Sequence, residues 1–225
     1  MDKNLNIIDL TIPMEEGMQT FPTHWHPFFE KTQLGRHGIE NRETHKIVCG
    51  THTGTHIDAP RHFIEGGMTV EEIPIEWLIG EATVVDLKDI GKNQEVDEDI
   101  LEERIAGRDT KRLLLNYGWD KNLNTMSYYD NCPYLSEKAA EFIVQSDCVL
   151  VGMDTPMPDN PIHGYGCPVD SPVHKILLGN DVILCEYMIN LSKISKSICD
   201  LVILPIKIVG GDGAPVRAIA IESNK

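Results

Sequence analysis

Between positions 52 and 62 the chain reads His52-Thr-Gly-Thr-His56-Ile-Asp58-Ala-Pro-Arg-His62. Three imidazoles and one carboxylate fall at even positions of a single short segment. A helix would scatter them by about 100° per residue, and Gly54 and Pro60 oppose a helix in any case. An extended chain puts all four on one face. A straight strand still keeps His52 and His56 about 13 Å apart, at roughly 3.3 Å per residue. A metal ion binds nitrogen and oxygen at about 2 Å, so a shared ion requires the backbone to curl. Gly54 is the residue best able to adopt the dihedrals of such a curl, and Thr53 and Thr55 can hydrogen-bond locally to hold it.

Two neutral imidazoles and a carboxylate suit zinc, manganese or iron(II). His52, His56 and Asp58 are the expected ligands. Three protein ligands leave a coordination position open, and a divalent ion there lowers the pKa of a bound water to about 7. His62 follows Pro60 and is better placed as an independent proton shuttle, for which an imidazole's ordinary pKa is suited. A structural zinc site built on thiolates is not expected, because none of the six cysteines is spaced as Cys-x-x-Cys. Cys148 and Cys185 sit in apolar runs and read as buried, reduced thiols.

The rest of the 225-residue chain supplies a scaffold. Strand-like runs cover Ile7–Ile12, Ala82–Leu87, Arg112–Asn116, Cys148–Met153, Val182–Leu191, Leu201–Val209 and Arg217–Ile221. Helical stretches lie between several of them. Asp97 is placed to cap a helix through Ile105 that ends at Gly107, and Ser136 to cap Glu137–Gln145. Ser171-Pro172 opens a further helix, and Thr69 with Glu72 forms a capping-box pattern ahead of Pro74. The passage from Leu113 to Met153 reads strand, helical connection, strand, a crossover that implies parallel neighbours. The expected fold class is mixed α/β: a mixed sheet with flanking helices in one domain spanning residues 1–225. The formal charge of −15 excludes a basic nucleic-acid surface. No apolar run reaches the roughly 18 residues of a membrane span, and the start lacks the apolar stretch of a signal peptide, so a cytoplasmic protein is expected.

The segment from His52 to His62 fills the pattern HxGTHxDxPxH and resembles the cyclase family of metal-dependent hydrolases, which includes bacterial kynurenine formamidases (arylformamidases) and isatin hydrolases. Asp9-Leu-Thr, Tyr117-Gly-Trp119, Gly152-Met-Asp154-Thr-Pro and Gly213-Ala-Pro-Val-Arg217 resemble family segments as well. The resemblance implies a swivelling β/β/α-type fold, a homo-oligomer (dimer or tetramer), a small-molecule substrate, and one or two divalent ions, zinc first and manganese second. It also implies two distal ligands, His174 and Glu186, with His62 as the catalytic histidine. On residues alone, His174 reads as a helix-surface position and Glu186 as an outward-facing strand position. A carboxylate inside the run VILCEY is nonetheless costly unless paired or metal-bound. Phe21-Pro22 stands where kynurenine formamidases carry a Trp, and Tyr117 where a Thr precedes Gly-Trp. Phe21 and Trp25 are candidates for substrate contact or for packing.

The expected activity is hydrolysis of the C–N bond of a small N-acyl or cyclic amide, with His62 passing a proton to the leaving nitrogen. Two other readings of the same site are a lyase, dehydratase or cyclase acting on a small carbonyl compound, and a non-catalytic protein with a closed structural ion.

Overall fold

The computed structural model describes residues 5–223. In chain order the strands and helices are β1 (Leu5–Asp9), β2 (Glu30–Gly35), α1 (His37–Glu40), β3 (Thr44–Val48), β4 (His56–Asp58), β5 (Ile79–Asp86), β6 (Glu95–Val96), α2 (Glu98–Ile105), β7 (Arg112–Asn116), α3 (Met126–Asp130), β8 (Tyr134–Leu135), α4 (Glu137–Gln145), β9 (Leu150–Met153), α5 (Pro172–Gly179), β10 (Ile183–Glu186), β11 (Ile198–Pro205) and β12 (Gly213–Ser223).

Eight strands form one mixed sheet in the order β1-β12-β11-β5-β7-β9-β10-β4. β5, β7, β9 and β10 run parallel to their neighbours in that series. The β7-to-β9 crossover is therefore present as the sequence implies. Strand β4 pairs with β10 on one side and with β12 on the other, so the two ends of the sheet meet. The sheet closes into a barrel, and β1 extends it along β12. Closure removes the open edge that three-residue β4 would otherwise expose.

The period-two alternation of the strands separates two apolar cores. Ile57, Leu114, Leu150, Ile183, Cys185 and Leu201 pack inside the barrel, where Ala214, Ala218 and Ala220 of β12 leave room for the larger side chains. Leu113, Leu115, Val151 and Leu184 face outward and are covered by α2, α4 and α5 through Leu101, Ile105, Ala139, Ile143, Leu177 and Leu178. Burying a Leu-sized side chain contributes about 1.5–3 kcal/mol, so these two layers dominate the stabilisation.

Local signals set most boundaries. Asp97 accepts from the Ile100 N–H at the start of α2, and Ala106 and Gly107 adopt positive φ at its end. Ser136 accepts from the Ala139 N–H at the start of α4. The Thr69–Glu72 capping box forms, yet Pro74 breaks the helix, and the segment consists of two short 3-10 turns, Val70–Glu72 and Ile75–Trp77. Some strand bounds are corrected. The first run ends as strand at Asp9, where Leu10 and Thr11 bond Ala218 and leave the β1 ladder. The run expected as strand through Leu191 ends at Glu186, because Tyr187 takes φ 55° and sends its N–H to the Thr155 carbonyl. α5 opens at Ser171-Pro172 and ends at Gly179 as expected, and the Asp159 carboxylate, rather than the Ser171 side chain, accepts from Val173 N–H at 2.7 Å and His174 N–H at 3.1 Å. The exposed β2–β3 hairpin carries no apolar periodicity and was not expected.

Candidate metal centre

Three short elements build the cluster. In β4 and β10, His56 lies opposite Glu186 and Asp58 opposite Leu184. Ile57 and Cys185 point into the barrel, so His56, Asp58 and Glu186 share the outer face beneath α5. The chain before β4 turns back at Gly54, which has φ 66°, and this curl returns His52 to Asp58. His174 comes from the first turn of α5. The 3-10 turn Pro60–His62 then carries His62 to the side of the cluster.

The donor atoms converge. His52 Nδ1 lies 2.7 Å and His56 Nε2 3.2 Å from Asp58 Oδ1. His174 Nε2 lies 3.1 Å from Glu186 Oε1 and 3.6 Å from Asp58 Oδ2. Two ligands held about 2 Å from one ion at tetrahedral angles are about 3.3 Å apart, so these separations match the donors of a bound ion. His52, His56 and Asp58 form one such group, and Asp58, His174 and Glu186 a second that shares the Asp58 carboxylate. The donor set therefore fits one divalent ion, or two bridged by Asp58. Asp58 is 1% exposed and Glu186 4%, which makes an uncompensated pair of charges there costly.

Electrostatics favours positive charge at this point. Burial disfavours a charged His52, but Asp58 and Asp212 outweigh it and push its pKa up to about 10. His174 is raised as well: burial opposes the charge, and Asp159, Asp58 and Glu186 overcome it. Burial works against ionised Asp58, yet His52, His62 and His174 hold its carboxyl well below the usual range. Glu186 moves upward through burial and the nearby Asp58 charge.

Each imidazole of the cluster is oriented through its other nitrogen. His56 Nδ1 lies 2.8 Å from the Gly54 carbonyl, His174 Nδ1 2.5 Å from Asp159 Oδ2, and His52 Nε2 2.8 Å from Asp212 Oδ2. A proton held on the carbonyl or carboxylate side leaves the opposite nitrogen free to ligate. Sequence reasoning missed both Asp159 and Asp212. Asp159 lies in a proline-rich loop, and Asp212 in a Gly-Gly-Asp-Gly stretch; nothing local marks either one.

His62 is not drawn into the buried cluster. It keeps 25% of its side-chain surface and stacks on His52 with ring centroids 3.9 Å apart. It lines a cavity of about 390 Å³ that opens onto His52, His56, Asp58, His174 and Glu186. Phe21 and Trp25 line the same cavity. Phe21 packs edge-on against Tyr129 at 5.8 Å, and Trp25 against Tyr165 at 4.7 Å across the cavity mouth. Phe63, Met157 and His163 complete much of the wall. His26 also lines it, with its pKa lowered to about 4 by burial and by His52, His56 and His62. Cys148 and Cys185 are buried free thiols away from this wall, whereas Cys167 is exposed and faces it.

Fold and cluster together define a barrel-like mixed α/β protein with a histidine–carboxylate centre under one helix. The Cyclase family model matches residues 8–160, more than half the chain, and the chain belongs to that family. Kynurenine formamidase from Bacillus mycoides (strain KBAB4) is 28% identical over 218 residues, covering 94% of this chain and 95% of the relative. Kynurenine formamidase from Geobacillus thermodenitrificans (strain NG80-2) is 28% identical over 211 residues with the same coverage. Among solved structures, isatin hydrolase A from Labrenzia aggregata superposes with a TM-score of 0.87 at 23% identity, covering 97% of this chain and 94% of that one. A predicted metal-dependent hydrolase from Bacillus stearothermophilus gives 0.76 at 27% identity, with 98% and 99% covered.

Proposed function

We propose that this chain is a metal-dependent hydrolase that cleaves the C–N bond of a small N-acyl or cyclic amide, in the manner of an arylformamidase. The observation that carries the reading is the convergence of five buried donors at the floor of a cavity whose wall holds His62. The names of the full-length relatives, kynurenine formamidase and isatin hydrolase, support it.

His52, His56 and Asp58 would hold one ion, and Asp58, His174 and Glu186 a second. A bound divalent ion supplies Lewis acidity and lowers the pKa of water. The residues do the rest. Phe21, Trp25 and Phe63 pack against the apolar part of the substrate and exclude bulk water. His62, held beside the cluster but outside it, takes a proton from the attacking water and returns it to the departing nitrogen. Zinc is the first candidate ion and manganese the second, since imidazole and carboxylate accept both. Among the described residues no helix is long and apolar enough to cross a membrane. A homo-oligomer is the state carried over from the family resemblance and a cytoplasmic location that carried over from the sequence, and the β1–β12 pairing of the two ends of the described chain supports a single domain of residues 1–225.

The test is turnover of formanilide-type and isatin-type compounds by metal-replete protein, with bound metal measured alongside. His62→Ala is expected to keep its metal and lose about 10²–10⁴-fold in kcat. Full activity in that variant excludes the shuttle role. Reaction in ¹⁸O water places label in the carboxylate product if the enzyme is a hydrolase; unlabelled product identifies a lyase or cyclase instead.

A further inference from the structure

Asp212 lies in the turn just before β12, outside the five-donor cluster. Its backbone carbonyl accepts from the Ala59 N–H at 2.9 Å, which ties the turn to the chain between Asp58 and Pro60. One carboxylate oxygen, Oδ2, lies 2.8 Å from His52 Nε2 and 3.5 Å from His62 Nδ1. Gly213 follows, and a Cβ there would stand 2.6 Å from His52 Cε1, so only glycine lets this turn approach the ring so closely. Asp212 thus touches both a ligand imidazole and the cavity imidazole, whose rings stack on each other.

We propose that Asp212 is a positioning residue that fixes the tautomer and ring orientation of His52 and His62 together, so that His52 turns Nδ1 to the metal cluster and His62 turns Nε2 to the cavity. A neutral imidazole carries one N–H and one lone pair. With the His52 N–H bonded to Asp212 Oδ2 and the His62 N–H facing the same oxygen at 3.5 Å, the lone pair is left on the opposite nitrogen of each ring. His52, His62 and Asp212 are also close enough together to be read as ligands of an ion of their own. His52 has only one lone pair to give, however, and its Nδ1 already meets the buried Asp58. Asp212 is 41% exposed at its side chain, so an unneutralised carboxylate is tolerated there without an ion.

The part concerning His62 rests on the hydrolase reading; the tautomer assignment does not. The experiment uses zinc-loaded Asp212→Asn, with Asp212→Glu as the charge-preserving control. Three quantities are measured: bound zinc, side-chain ¹⁵N NMR of the histidines, and amide turnover alone and combined with His62→Ala. Bound zinc is expected to be unchanged in stoichiometry. His62 is expected to shift from the Nδ1–H form toward Nε2–H in Asp212→Asn, and to recover in Asp212→Glu. The kcat is expected to fall about 10–100-fold with KM little changed. In the His62→Ala background the same substitution is expected to cost nothing further. Loss of an ion on substitution makes Asp212 a ligand and overturns the proposal, as does an unchanged His62 spectrum. A kcat loss that persists without His62 overturns the His62 half. If the unsubstituted protein turns over no amide, the hydrolase reading fails, while the zinc and NMR measurements still decide Asp212.

Discussion

Single atoms decide whether the cluster forms. Asp159 does two things with one carboxylate: it caps α5 and holds the Nδ1 side of His174. Removing it strips the helix of its cap and frees the imidazole to rotate. Asp159→Ala is expected to weaken metal affinity about 10–100-fold and to cost about 1–2 kcal/mol of stability. Competitive chelator titration and urea unfolding check the two effects separately; a variant that loses stability but keeps its affinity removes Asp159 from the site. Gly213 is constrained as tightly. Its hypothetical Cβ would stand 2.7 Å from the Ile57 carbonyl as well as against His52. Because the second neighbour is backbone, the clash has no inexpensive relief. Gly213→Ala is expected to cost about 1–3 kcal/mol and to lower bound metal, read by calorimetry and by metal analysis.

At the scale of elements, the parallel strands β7 and β9 end beside each other, and Asp154 joins the two ends. Its carboxylate accepts the Tyr117 and Trp119 N–H groups, both at 3.1 Å, and holds the turn after β7 against the strand end that leads to cavity residues Pro156 and Met157. Tyr117 and Trp119 are themselves buried in the core, so these polar contacts serve structure. Burial pushes the Asp154 pKa up to about 7 from an ordinary 3.8, against the two N–H bonds and with help from Asp120. A folded-state acid raised in this way binds its proton more tightly than the unfolded chain does. Its contribution is therefore largest at low pH and is lost as pH rises from about 4 to about 7. Asp154→Asn cannot titrate. Relative to that variant, the unsubstituted protein is expected to lose up to about 1.4 kcal/mol per pH unit across this window. Urea unfolding of both proteins at several pH values tests it; parallel stability curves contradict the assignment.

For the whole molecule, the cluster sits where the barrel closes. β4 bridges β10 and β12, so ions held by His52, His56 and Asp58 and by Asp58, His174 and Glu186 would clamp β4 to β10 at the seam of the sheet, with His174 adding α5 to the clamp. A ligand that binds only the folded state stabilises it by mass action, by about 2.7 kcal/mol at a concentration 100 times Kd. For a chain of this size that corresponds to a Tm rise of about 5–10 °C. Calorimetry before and after chelation measures the difference; an unchanged Tm means the ion does not hold the seam.

The sequence by itself determined the parts that depend on near neighbours. The strand runs and the caps at Asp97 and Ser136 follow from alternation and local hydrogen bonding. So does the curl at Gly54, because eleven residues that gather imidazoles can do so in few ways. Only the tertiary structure decided what depends on distance along the chain. The family resemblance had named His174 and Glu186, but they meet Asp58 because β10 pairs with β4 and α5 lies over both, and no local pattern encodes a pairing across more than a hundred residues. Asp159 and Asp212 were illegible for the same reason: a carboxylate in a loop gains its meaning from the imidazole it faces. The closed barrel itself came from β12 pairing along both edges, since whether the two ends of a sheet meet is fixed by the accumulated twist of all its strands and by no single one of them.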